Sequence, residues 1–103
     1  MTNNKHLSTW LGLGVGRGVA LSKALDCSRQ YVEKMKNGSM SSKQWEAFIF
    51  AMSIVELDER RNTKKIEQNI IKSAHAIHSK DMWIKRFAEA ELDKWVEALK
   101  VTL

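Results

Sequence analysis

The stretch RGVALSKALDCSRQYVEKMKNG, residues 17–38, decides the fold. Apolar residues fall at Val19, Leu21, Leu25, Cys27, Val32 and Met35. Leu21 and Leu25 are four apart and share one helical face; Val32 and Met35 are three apart and share another. The pattern predicts two short helices, over residues 17–25 and 28–37, joined by a tight turn at Asp26-Cys27. Ser22 is small where two crossing helices approach closely. Ser28 is placed to cap the second helix, its hydroxyl taking a free N–H of the first turn. Asn37-Gly38 supplies the stop, since glycine accepts the left-handed conformation that ends many helices. With the apolar face buried, Ser28, Arg29, Gln30, Glu33, Lys34 and Asn37 are left outside. Such side chains pair with phosphates and base edges.

Upstream, Leu7, Trp10 and Leu11 stand at i, i+3 and i+4, which predicts a first helix over residues 4–13 capped by Asn3 or Asn4. Gly12, Gly14, Gly16 and Gly18 follow. Alternate glycines suit a phosphate-cradling loop, but no strand precedes them and no Gly-Lys-Ser/Thr follows, so nucleotide binding is set aside. They are expected to end helix one, turn the chain and let Arg17 open helix two. Downstream, Ser41 and Gln44 stand in the S-x-x-Q capping-box relation. A fourth helix then carries Trp45, Phe48, Ile49, Met52 and Val55 as a core stripe.

Residues 56–61 are charged and are expected to close a domain over 1–60. Beyond it, Ile66, Ile70, Ile71, Ala74 and Ile77 repeat at helical spacing over 63–78. Ser79-Lys80-Asp81 breaks the chain. Trp83, Ile84, Phe87, Leu92, Trp95, Val96 and Leu99 then mark another amphipathic helix over 81–100. Proline is absent and no strand pattern appears. The expected architecture is all-α, with a C-terminal helical extension over 61–103.

At 103 residues and 44% hydrophobic, the chain can bury a core. No apolar run approaches the roughly 20 residues of a membrane span. The first ten residues lack the apolar centre of a signal peptide. A single cysteine, Cys27, excludes an internal disulfide, fits a reducing compartment and so predicts a cytoplasmic protein; its apolar position predicts a buried thiol. Net charge is +5. Residues 1–55 hold seven Lys or Arg against three acids, whereas 56–103 hold ten against nine, so the basic excess lies with the first domain.

No Ser/His/Asp or Cys/His arrangement has catalytic context, so no enzyme and no cofactor is expected. His75 and His78 are three apart on one helix without a further ligand nearby, so no metal is expected either. One of them is expected at an interface and the other in water.

The first 60 residues or so resemble the small Cro/repressor-type helix-turn-helix regulators of phages and prophages, of the Cro-like or YdaS-like kind. The residues that carry the resemblance are Leu7…Trp10-Leu11, Gly16-Arg17-Gly18, Ala20-Leu21-Ser22-Lys23-Ala24-Leu25, Cys27-Ser28, Tyr31-Val32, Asn37-Gly38 and Ser41. It implies a Cro/repressor-like all-helical domain whose third helix enters the DNA major groove. Two departures stand out. Asp26 replaces the usual turn glycine, and tolerates the left-handed region better than most residues. Ser22 replaces the usual alanine, which is tolerable if its hydroxyl bonds back to the helix.

The expected function is therefore sequence-specific double-stranded DNA binding by a transcription regulator, a repressor of phage or mobile-element origin. Arg29 and Gln30 are placed to read bases, Ser28 to meet a phosphate, and Lys34 and Asn37 to reach either. Arg17, Lys23 and Lys43 are the phosphate candidates. Glu33 either accepts from a cytosine amino group or pairs with Lys34 or Lys36, and Tyr31 either stacks on the backbone or packs beside helix two. A homodimer is expected, through Ile70, Ile77, Trp83, Phe87, Trp95 and Leu99 of the extension, to bind an inverted repeat. The alternative is an interaction module that binds a host protein through the same scaffold.

Overall fold

The computed structural model describes residues 2–102. Among the described residues the chain is all-α, with no strand: α1 (Thr2–Gly12), α2 (Arg17–Leu25), α3 (Arg29–Asn37), α4 (Ser42–Arg60), α5 (Thr63–Ala76) and α6 (Met82–Thr102). They fall into two units. The first comprises the chain up to Leu11 together with Gly16–Asp58; the second comprises Gly12–Val15 and the chain from Glu59 onward.

In the first unit α2 and α3 pack on each other, and Leu21, Val32 and Met35 are buried as their spacing predicts. The turn between them is built on Asp26, the one non-glycine residue at positive φ among those described (φ 53°, ψ 50°). Asp26 N–H donates to the Lys23 carbonyl and Cys27 N–H to the Ser22 carbonyl, at 3.2 and 2.9 Å. This is the paired closure that glycine normally makes at a helix end. Ser22 is buried and its hydroxyl donates to the Val19 carbonyl at 2.8 Å, so a polar atom enters the crossing without losing its partner. The Ser28 hydroxyl accepts from Tyr31 N–H at 3.1 Å and caps α3. Ser41 and Gln44 bond reciprocally at the start of α4, each side chain accepting from the other's backbone N–H.

Several expectations are corrected. α1 begins at Thr2, so Asn3 and Asn4 lie inside its first turn rather than capping it. Val19 and Ile49 face solvent, at 39% and 45% exposure, because the neighbouring positions Leu21 and Phe48 take the buried face. Cys27 is half-buried, not enclosed. Gly38 is extended (φ −120°, ψ −172°) and not left-handed. A Cβ there would stand 3.1 Å from the Lys34 carbonyl oxygen, a tight contact that glycine avoids.

In the second unit α5 and α6 pack along each other. Asn62 caps α5 through Lys65 N–H, and the Asp81 carboxylate accepts from the N–H groups of Trp83 and Ile84 at the start of α6. Ile66, Ala88 and Trp95 are buried. So are polar groups that periodicity does not mark. Asn69 donates to Glu59 at 3.2 Å, and Trp95 Nε1 and Lys94 Nζ both donate to the Glu91 carboxylate, at 2.9 and 2.7 Å.

Of the residues expected at a dimer interface, Ile70, Ile77, Trp83, Phe87 and Leu99 are half-buried and Trp95 is fully enclosed. Trp95 is core of its own unit and is not offered to a second copy. Its indole N–H is satisfied by Glu91 one turn earlier, which is what lets it go inside. His75 and His78 are both exposed in the single chain.

Candidate nucleic-acid interface

α3 is nine residues long and has two unlike faces. Val32 and Met35 point inward; Ser28, Arg29, Gln30, Glu33, Lys34 and Asn37 are all exposed. Five of these, from Arg29 to Asn37, line one shallow open groove of about 580 Å³. A surface of donors and acceptors along about two turns of helix is able to meet base edges, and the Ser28 cap leaves the helix N-terminus at its end.

The individual side chains are already partly committed. The guanidinium of Arg29 lies over the start of α2, where a Cβ added to Gly18 would stand 3.5 Å from its Nη2. A side chain at Gly18 would make only ordinary contact with that guanidinium, so the position does not require glycine for space. Glu33 pairs with Lys36 at 3.6 Å, both partners part-exposed, so Lys36 offsets the one acid on this face. Asn37 donates through Nδ2 to the Glu33 carbonyl at 3.1 Å, leaving its amide oxygen to accept. Lys23 and Lys43 are exposed.

Tyr31 packs toward α4. Its ring is 6.2 Å from that of Phe48, and its hydroxyl accepts from Gln44 Nε2 at 3.4 Å. The ring therefore supports α3 from below.

Arg17 is corrected. It is 1% exposed; its Nη1 donates to the Trp10 carbonyl at 2.7 Å, and its guanidinium carbon lies 4.4 Å above the Trp10 ring. Trp10 Nε1 in turn donates to Glu56 at 2.7 Å. Arg17 is a buried cross-brace between α1 and α2 and has no reach to a phosphate. Sequence position alone could not separate the two roles, because an arginine opening a helix next to a glycine run fits either. Burial and the Asp26 carboxylate beside it push the Cys27 thiol above its ordinary range, so the sulfur is a poor nucleophile.

The chain matches no protein-family model, no curated protein and no solved structure.

Proposed function

We propose that this chain is a sequence-specific double-stranded DNA-binding regulator of transcription, a repressor of the helix-turn-helix kind, with α3 as the helix that enters the major groove. The observation that carries the reading is the exposed polar face of α3, held out from an apolar inner face by a closed turn and a serine cap. Gln30 and Lys34 are the direct readers; Arg29, poised over α2, swings to a base or holds a phosphate beside the α3 N-terminus. Lys23 and Lys43 add backbone contacts. Arg17 drops out of the contact set and enters the scaffold.

Selection of bound duplexes from a random pool tests this. The expected result is retention of one short motif, lost when Arg29→Ala is combined with Gln30→Ala. A host-protein module would enrich no motif, and its binding would be insensitive to salt, whereas DNA binding weakens steeply as counterions compete.

A further inference from the structure

The outer face of α3 is not uniform. At about 100° of turn per residue, Gln30 and Asn37 lie almost opposite the buried Val32 and Met35, Glu33 and Lys34 stand about 50° to either side, and Arg29 and Lys36 hold the flank beside Glu33. The middle of the face thus carries two amides and an acid, with the cations toward its margins. On a face that met only phosphates, an acid so placed would oppose binding.

Two of the central groups are acceptors. The Glu33 side chain is 54% exposed; its Oε2 lies 3.6 Å from Lys36 Nζ, and a carboxylate has acceptor capacity beyond one such pair. Asn37 donates through Nδ2 to the Glu33 carbonyl at 3.1 Å. A carbonyl only accepts, so this bond fixes which end of the amide is engaged and leaves its oxygen to accept. Glu33 and Asn37 are four residues apart, about 6 Å along the helix, or about two base steps of DNA.

We infer that Glu33 and Asn37 form an acceptor pair that selects duplexes presenting exocyclic amino groups to α3, cytosine N4 or adenine N6, at two positions about two steps apart. The inference rests on the DNA-binding reading and narrows it. Guanine and thymine offer acceptors in the major groove where cytosine and adenine offer an amino donor. A carboxylate set against guanine O6 or thymine O4 is desolvated without a donor. Glu33 therefore supplies discrimination and not affinity, because it opposes every phosphate alike. Lys36, 34% exposed, holds the carboxylate from the flank and offsets that repulsion.

Selection of bound duplexes by the full chain tests it, with wild type compared against Glu33→Ala, Glu33→Lys and Asn37→Ala. Wild type is expected to retain cytosine or adenine at two positions. Glu33→Ala is expected to lose the preference at one of them, and Glu33→Lys to reverse it to guanine or thymine. Asn37→Ala is expected to lose the preference at the other. An analogue without the amino group (purine for adenine, pyrimidin-2-one for cytosine) then replaces the base at the Glu33 position. It is expected to weaken wild-type binding about tenfold and Glu33→Ala binding by no more than about twofold. Unfolding in urea checks that each variant is folded. A selected motif unchanged by Glu33→Lys or by Asn37→Ala overturns this inference and leaves the DNA reading standing. So does an amino deletion that wild type and Glu33→Ala feel equally. No selected motif at all removes both.

Discussion

The α2–α3 pair and the α5–α6 pair differ in where their polar residues concentrate. In the first, Leu21, Val32 and Met35 close the inside, the buried Arg17 and Ser22 each bond to a backbone carbonyl, and six polar side chains of α3 and its cap are exposed. In the second, Asn69, Ser73 and Glu91 are buried with Glu59, most of them tied to one another or to Trp95. A buried polar group lowers stability unless it is paired, so it serves to fix one packing arrangement. An exposed polar face contributes little to folding and is free for a partner. The pair that looks plainer in sequence is the one with its outer face available.

The largest expected effect tests the inward assignment of the second pair. Trp95→Ala should destabilise that unit by about 3–5 kcal/mol, as for other buried aromatics, seen as a lowered urea midpoint. A loss of self-association with stability unchanged would return Trp95 to an interface. Next comes Arg17→Ala, expected to cost about 3 kcal/mol because it strips a buried carbonyl of its charged donor. Arg17→Lys should rescue little, since an ammonium cannot both reach the Trp10 carbonyl and lie flat on the ring. If Arg17→Ala instead left stability intact and weakened DNA binding, the phosphate role would stand.

Ser73 sharpens the contrast from within. Its hydroxyl oxygen is buried with no hydrogen-bond partner. Ser73→Ala should therefore stabilise the chain by about 1 kcal/mol, the reverse of what a paired network member would do. Asp26→Gly should also stabilise, by about 0.5–1 kcal/mol, by relieving the left-handed strain at the turn. A loss on that change would mean that the Asp26 side chain makes a contact worth more than the strain.

Much of this was legible before any coordinates. The helix limits of α2, the Ser28 cap, the Ser41–Gln44 box and the left-handed Asp26 follow from local chemistry, which depends on near neighbours only. The exposed set on α3 follows from the inward spacing of Val32 and Met35. What escaped needs the third dimension. Arg17 reads as a surface cation until Trp10 is seen beneath it. Glu59 and Asn69 are ten residues apart and gave no periodic signal for burial. Ile49 and Phe48 are adjacent apolar residues, and spacing alone does not say which one α4 turns inward, so the outward row of Phe50, Ile54 and Leu57 went unread.

The central claim is that the outer face of α3 is for a partner and not for the fold. The most direct test is duplex binding by the full chain, titrated between low and moderate salt, for wild type and for Arg29→Ala with Gln30→Ala. The account predicts saturable binding to a selected motif that falls with rising salt. It predicts that the double variant loses at least about tenfold in affinity while its unfolding free energy in urea stays within about 0.5 kcal/mol of wild type. Binding unaltered by the double variant, or a large loss of stability in its place, would contradict it.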